Sequence, residues 1–303
     1  MIDTRIDLAG ISLKNPIIAA SGTFAFGEYF DDYMDISRLG GISLKALTAE
    51  PREGNAPPRI AETASGVLNA VGLQNPGIDR FLSEIYPKIK AIDTCLIANV
   101  SGSVIEDYIT VIEKLNDTDI PLIELNISCP NVKCGGMQFG ATPESAAEAT
   151  KAARRATGKK LMVKLSPNVT DIAGIARAVE AEGADAVSLV NTFTGMAINA
   201  RTRKPILANV TGGLSGPAIK PIALRMVNQV YHAVKIPVVG MGGIMTGVDA
   251  AEFMIAGASA VMVGTANMVS PSATIRIMSE FETFMKEQKI ERAGDLTGSL
   301  VVD

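Results

Sequence analysis

The sequence predicts an α/β protein, a closed (β/α)8 barrel with an N-terminal hairpin. Apolar, β-branched runs alternate with amphipathic helical patterns, which is typical of a parallel sheet covered on both faces. About eight such pairs fit within the 303 residues, and this number favours a closed barrel over an open doubly wound sheet. Because no linker, low-complexity tract or charge block divides the chain, we expect residues 1–303 to form one domain.

The elements follow from the period of the apolar residues. The predicted strands are Ile17–Ala20, Ile42–Ala46, Leu96–Val100, Leu122–Ile127, Leu161–Leu165, Ala186–Val190, Val238–Gly240 and Ala260–Val263. The predicted helices are Asp79–Ala91, Ile105–Asn116, Pro143–Thr157, Ile172–Glu182, Pro217–Val234, Gly247–Ala256 and Pro271–Gln288, with a short one between Tyr29 and Leu39.

Short turns support this assignment. Gly183 and Gly257 each stand where a helix gives way to the next strand, as C-cap glycines do. Residues Ile6–Leu13 predict a hairpin that turns at Ala9-Gly10 and covers the N-terminal face of the barrel.

Composition excludes several classes of function. The net charge is -4 without a Lys/Arg run, which argues against nucleic acid and anionic membranes as partners. No apolar stretch approaches the roughly 20 residues of a membrane span, and no signal peptide follows Met1. Three cysteines indicate the reducing cytoplasm, and a single histidine leaves no His-based triad or metal site. Cys129 and Cys134 are too few to hold a metal cluster.

Three connections are too long to be plain turns. They run from Thr48 to Pro76, from Asn131 to Thr142 and from Thr192 to Gly216. All three follow the carboxyl ends of strands, which form the catalytic face of such barrels. We therefore expect these loops to carry function.

Polar residues or glycines follow nearly every predicted strand. An unpaired buried carboxamide costs about 1–3 kcal/mol, so this set of residues predicts a ligand with many hydrogen-bonding edges. In chain order the strand ends carry Ser21-Gly22, Lys45, Asn99, Asn126–Asn131, Lys164, Asn191-Thr192, Gly242-Gly243 and Gly264-Thr265.

The last two strand ends predict a phosphate site. Gly242-Gly243 and Gly264-Thr265 place bare backbone N–H groups where barrels bind phosphate. Flavin mononucleotide (FMN) fits the accompanying amides and lysine better than a pyridine nucleotide does. The first strand is followed by Ala20–Phe24, which is not a dinucleotide-binding glycine fingerprint.

Cys129 is the candidate acid–base group. It lies between the carboxamides of Asn126 and Asn131, where Pro130 ends the strand. On residue type alone a buried structural cysteine is the alternative, and the polar surroundings favour the functional interpretation.

The motifs together resemble the class 1 dihydroorotate dehydrogenases over essentially the whole chain. Within that family, residues 132–140 are most similar to the class 1B catalytic subunit. The motifs are Ala20-Ser21-Gly22, Ser43-Leu44-Lys45, the runs 69–77, 99–102 and 124–131, Lys164-Leu165-Ser166-Pro167, Asn191-Thr192, Gly213-Leu214-Ser215-Gly216 and the two C-terminal glycine motifs.

The resemblance implies a role for each motif residue. Cys129 would be the catalytic base. The substrate would be held by Lys45, Asn69, Ala70, Val71, Gly72, Leu73, Asn126, Asn131, Asn191 and Thr192. FMN would be held by Ser21, Lys45, Ala46, Asn99, Asn126, Lys164, Val190, Gly216, Gly242, Gly243, Gly264 and Thr265, and no metal is expected on this chain.

The implied reaction is the oxidation of dihydroorotate to orotate in pyrimidine biosynthesis. A proton leaves C5 and a hydride leaves C6, and an unperturbed thiol with a pKa of about 8.5 can take the proton if its surroundings help. Lys164 would stabilise negative charge on the reduced flavin. A partner subunit with FAD and a 2Fe-2S cluster would pass the electrons to NAD, in a heterotetramer of two copies of each subunit.

Four alternatives stay open at this point. A fumarate-linked class 1A enzyme and a dihydropyrimidine dehydrogenase-like flavoprotein share the chemistry. A non-redox barrel, such as a phosphosugar isomerase or aldolase using Lys164, would lack flavin. A catalytically dead binding subunit is disfavoured because the strand-end polar residues are intact.

Overall fold

Eight parallel strands close into a barrel in the computed structural model, which describes residues 2–30, 32–128 and 139–302. The first strand pairs with the eighth at Ile17 and Val261 and with the second at Ile18 and Gly41, so the barrel closes as predicted. The barrel strands are Ile17–Ala19, Gly41–Ser43, Cys95–Val100, Leu122–Asn126, Lys160–Lys164, Ala186–Leu189, Val238–Met241 and Ala260–Val263.

Helices follow the strands and bury one face each. Helix Ile105–Leu115 buries Tyr108, Val111, Ile112 and Leu115, a spacing of three and four residues that forms one stripe. The other α-helices are Ile78–Arg80, Tyr86–Ile89, Pro143–Ala156, Ile172–Ala181, Lys220–Tyr231, Gly247–Ile255, Ala266–Val269 and Ala273–Glu287. Single turns of 3-10 helix lie at Ile36–Arg38, Pro217–Ile219 and Ala293–Leu296, and a π-helical turn lies at Phe81–Ile85.

The N-terminal hairpin is present as predicted. Strands Ile6–Leu8 and Ile11–Leu13 pair antiparallel, and both turn residues, Ala9 and Gly10, have positive φ. Positive φ at both central positions is the geometry that a tight hairpin turn requires. Gly10 lies near the side chain of Lys160, at the start of the fifth barrel strand, which places the hairpin at the amino ends of the strands.

Two predicted helices differ in detail. The helix expected between Tyr29 and Leu39 is reduced to the 3-10 turn Ile36–Arg38, which the Asp35 carboxylate caps. The first long helix contains a π-helical turn, in which the N–H of Tyr86 bonds the carbonyl of Phe81. Pro87 follows at once, and its missing N–H and bulky ring disturb the regular ladder.

The two longest connections, which the sequence shows only to be too long for plain turns, pair with each other. Residues Ile60–Thr63, Gly66–Asn69, Phe193–Met196 and Thr211–Ser215 form a four-stranded antiparallel sheet, here called the loop sheet. Its central pairing joins Asn69 to Gly213. A small hairpin of Ile198–Asn199 and Lys204–Pro205 follows within the second connection.

The helices show no membrane-spanning segment among the described residues. None of them is both long enough and apolar enough to cross a bilayer.

Gly257 is a position where the fold needs glycine. Its φ is 125°, and a Cβ there would overlap the ring of Tyr231. We expect Gly257→Ala to lower the free energy of unfolding by about 1–3 kcal/mol, since both backbone strain and overpacking oppose it. Gly158→Ala is the matched control, because no atom lies within 4 Å of its added Cβ. Thermal unfolding of both variants measures the loss of stability. Equal melting temperatures would contradict the need for glycine at position 257.

Candidate active site

A cavity at the carboxyl ends of the barrel strands gathers most of the predicted site residues. Parts of the loop sheet, including Ile60, Gly213 and Ser215, also line it. The predicted residues that line it are Ser21, Lys45, Ala46, Asn69, Val71, Gly72, Leu73, Asn126, Lys164, Val190, Asn191, Thr192, Gly216, Gly242, Gly243, Gly264 and Thr265.

Of the four remaining predicted site residues, the structure describes two, and neither of these lines the cavity. Ala70 does not line the cavity and packs in a small apolar cluster with Leu68 and Leu207. Asn99 is fully buried. Cys129 and Asn131 lie outside the described residues.

Lys164 supplies a buried positive charge to the cavity wall. The side chain leaves the end of the fifth barrel strand, and the residue is 6% exposed. Within the described part of the chain, the hydrogen bond found for its ammonium goes to Ser21 Oγ at 3.4 Å. Because a buried ammonium with one long hydrogen bond is poorly compensated, an acceptor or an anion belongs beside it.

The glycines of the seventh and eighth strand ends leave backbone exposed to the cavity. Gly242 and Gly243 have φ values of 126° and 84°, a region that L side chains rarely adopt. Gly264 is different, since an added Cβ would meet the protein only at Ala20, 3.7 Å away, and would otherwise occupy the cavity. Bare N–H groups in this arrangement fit the phosphate of FMN.

The segment 70–73 presents a strained backbone to the cavity. Gly72 and Leu73 both have positive φ. Asn55 donates hydrogen bonds to the carbonyls of Ala70 and Val71, and the Asn75 amide donates to the carbonyl of Leu73. The carbonyls of Ala70, Val71 and Leu73 are thus bonded within the protein, and the N–H groups of the cavity-lining residues 71–73 suit an anionic group such as a carboxylate.

The amides of the fourth and sixth strand ends are joined through Ser128. Asn126 Oδ1 accepts from Ser128 Oγ at 2.7 Å, and Ser128 Oγ accepts from Asn191 Nδ2 at 2.5 Å. Asn191 Oδ1 accepts in turn from the Thr192 N–H at 2.8 Å. Three cavity residues on two strands are therefore held by one hydrogen-bond chain.

Glu124 is a buried residue beneath the site to which the sequence pattern assigns no role. It lies in the fourth barrel strand, is 0% exposed and accepts from Ser43 Oγ, Asn99 Nδ2 and Ser188 Oγ at 2.5–2.7 Å. The available sequence signal is a glutamate inside the apolar run Leu122–Leu125, which must find donors if it is buried.

The loop sheet adds contacts that sequence reasoning missed. Ser215 Oγ accepts from Thr265 Oγ1 at 2.8 Å and so ties the loop sheet to the eighth strand end. A Cβ at Gly213 would overlap the side chain of Thr192, so glycine is needed for Thr192 to lie where it does. Both contacts join residues that are distant in sequence, which is why no local pattern indicates them.

Cys95 begins the third barrel strand and packs against the core. Burial raises the pKa of its thiol to about 11, so it stays protonated near neutral pH. Among the described residues no group of three or more His, Cys, Asp or Glu side chains is placed to hold a metal ion.

Comparison with known proteins identifies the family. The dihydroorotate dehydrogenase family model matches residues 4–285. A protein of Parabacteroides distasonis named dihydroorotate dehydrogenase B (NAD(+)), catalytic subunit, is 57% identical over 301 residues, 99% of each chain. Proteins with the same name from Bacteroides thetaiotaomicron and Alkaliphilus metalliredigens are 55% and 52% identical over 100% and 99% of each chain. The chain therefore belongs to the dihydroorotate dehydrogenase family.

Proposed function

We propose that this chain is the FMN-containing catalytic subunit that oxidises dihydroorotate to orotate for pyrimidine synthesis, with NAD as the final acceptor. The observation that carries the proposal is one cavity in which the glycine turns, the buried Lys164 and the strand-end amides meet. The names of the relatives, which specify NAD(+) and a catalytic subunit, support the class 1B assignment over the fumarate-linked class.

The cofactor half of the cavity is formed by the last two strand ends and Lys164. Backbone N–H groups at Gly243 and Gly264 would hold the phosphate, beside Thr265, whose hydroxyl is bonded to Ser215. Lys164 would supply positive charge to stabilise the reduced flavin. Bound FMN would accept the hydride that leaves C6 of dihydroorotate. Ser21, Ala46, Val190, Gly216 and Gly242 complete the lining.

The substrate half is formed by the loop sheet and the middle strands. Lys45 lines this part of the cavity and provides a cation for the substrate carboxylate. The N–H groups of residues 71–73 also suit that carboxylate. Asn69, Asn126, Asn191 and Thr192 orient the pyrimidine ring through its polar edge. Asn131 is assigned to the same group by its place in the motif.

Cys129 acts as the base that removes the C5 proton. Ser128 precedes it directly and is held by hydrogen bonds to Asn126 and Asn191, both of which line the cavity, so the backbone that leads to the base is anchored. Cys95 cannot take this role, because its thiol is buried in a strand and its pKa is raised to about 11. A base for the C5 proton and a separate acceptor for the C6 hydride would divide the reaction between two groups.

A partner subunit with FAD and a 2Fe-2S cluster completes the proposal. The names of the relatives give NAD(+) as the acceptor and call the protein a catalytic subunit, which supports a second subunit that carries the electrons from FMN to NAD. We propose a heterotetramer of two copies of each subunit, located in the cytoplasm.

The cofactor assignment predicts the effect of charge at Gly264. We expect Gly264→Asp to retain the fold and to lose FMN at least about tenfold more readily, because a carboxylate would enter the phosphate site. Gly158→Asp, at an exposed open position, is the matched control. The ratio of flavin to protein after gel filtration measures the loss of FMN from each variant. Equal flavin content in both variants would contradict the phosphate assignment.

The base assignment predicts a selective loss of one half of the chemistry. Cys129→Ala should keep FMN and bind orotate. Dihydroorotate should reduce its flavin at a rate at least about 100-fold lower than in the wild type, since a general base is lost. Cys129→Ser should recover as the pH rises, because a hydroxyl is the weaker acid. Stopped-flow bleaching of the flavin measures the rate. Cys95→Ala is the control and should react like the wild type, and an unchanged rate in Cys129→Ala would remove Cys129 from the mechanism.

The partner assignment predicts the acceptor specificity of the isolated chain. It should be bleached by dihydroorotate and pass electrons to artificial dyes, but should reduce NAD negligibly. Co-expression with the iron–sulfur flavoprotein should restore NAD reduction and give a mixed oligomer. Rapid turnover of the chain alone with fumarate would place it in class 1A, whereas rapid turnover with dihydrouracil would favour a dihydropyrimidine dehydrogenase-like enzyme.

A further inference from the structure

Glu124 lies at one end of a hydrogen-bond chain that reaches the cavity. Its Oε2 accepts from Asn99 Nδ2 at 2.5 Å, and Asn99 Oδ1 accepts from Asn126 Nδ2 at 3.4 Å. Asn126 Oδ1 then accepts from Ser128, which in turn accepts from Asn191. The chain thus runs from the barrel interior to the cavity wall.

The carboxylate fixes the direction of the bonds that lead from Glu124 to Asn126. A carboxylate only accepts, so Asn99 must turn its Nδ2 toward Glu124 and its Oδ1 toward Asn126. Asn126 then directs Nδ2 at Asn99 and Oδ1 at Ser128, an orientation that the Ser128 N–H also supports. Without the anchor, the Asn99 carboxamide could rotate by 180° at little cost, and its Nδ2 would then face the Nδ2 of Asn126, another donor.

The fixed direction decides what Asn126 can offer to a ligand. Both lone pairs of its Oδ1 are taken, by the Ser128 N–H at 3.3 Å and the Ser128 hydroxyl at 2.7 Å. One N–H of its Nδ2 goes to Asn99. Asn126 lines the cavity, and the second N–H of its Nδ2 is the polar group that these bonds leave for a ligand, so we infer that it acts there as a donor.

We propose that Glu124 is a positioning residue that holds Asn126 as a hydrogen-bond donor toward acceptor oxygens of the bound ligands. This inference rests on the proposed function for the identity of those ligands. It assigns Glu124 no contact with substrate or cofactor, because the residue is 0% exposed and acts through Asn99.

Replacement by Gln separates acceptor geometry from charge. In Glu124→Gln, the carbonyl oxygen can accept from Ser43 and Asn99, and the amide can donate to Ser188, whose hydroxyl can also accept. Glu124→Met keeps a similar volume but removes both acceptors, so Asn99 loses its anchor. Ser128→Ala interrupts the chain between Asn126 and Asn191 without changing a barrel strand.

The experiment titrates each FMN-loaded variant with orotate and follows the change in the visible flavin spectrum, with thermal unfolding measured in parallel. We expect the Kd for orotate to rise at least about tenfold in Glu124→Met and several-fold in Ser128→Ala, the scale of one lost hydrogen bond or part of one. Glu124→Gln should bind within about twofold of the wild type, since its hydrogen bonds can all be retained.

Asp185→Leu is the matched control for a purely structural loss. Asp185 also accepts three hydrogen bonds, from Arg154, Lys160 and the Leu161 N–H, but at the amino ends of the strands. The Asp185→Leu variant should have a lower melting temperature than the wild type and an unchanged Kd for orotate.

Two results would overturn the inference. One is a Kd in Glu124→Met and Ser128→Ala that equals the wild-type value, and the other is a Glu124→Gln variant that binds as weakly as Glu124→Met. If Glu124→Met does not fold, Glu124→Gln decides the question, because a Kd for orotate raised at least about tenfold in that variant would contradict acceptor geometry as the role of Glu124. A wild-type protein that does not respond to orotate would instead count against the proposed function.

Discussion

Closure of the barrel is the constraint on which the rest of the structure depends. Because strand Ile17–Ala19 pairs with both the second and the eighth strand, all eight strands point the same way and end on one face. Residues far apart in the chain, such as Ser21 and Lys164, which are 143 positions apart, therefore meet within hydrogen-bonding distance. The cavity is a direct consequence of parallel strands in a closed cylinder.

Closure of the barrel also buries the Glu124 carboxylate, and the free-energy cost of that burial must be offset by hydrogen bonds. A barrel of this size is filled with side chains, and most of them are apolar. Glu124 is the exception in the fourth strand, and it is tolerated because three donors from three other strands converge on it. Those donors include Asn99, so the interior carboxylate and the amides of the cavity wall belong to one network.

The loop sheet completes the site from outside the barrel. Its two central strands come from connections more than 100 residues apart and pair at Asn69 and Gly213. This pairing gives Asn69, Thr192 and Ser215 fixed positions above the strand ends, where irregular loops would leave them less well ordered. Substrate contacts are thereby placed on hydrogen-bonded backbone, which favours a preorganised site.

The sequence alone determined the barrel, its eight strands, the glycine turns and most of the cavity lining, because these depend on local period and on which residues end each strand. Tertiary structure alone decided the pairing of the two long connections, the burial of Asn99 behind Asn126 and the role of Glu124. Each of these depends on partners distant in the chain, as Ser43 and Glu124 are, 81 positions apart. Local propensity carries no information on such pairings, because only closure of the barrel brings the partners together.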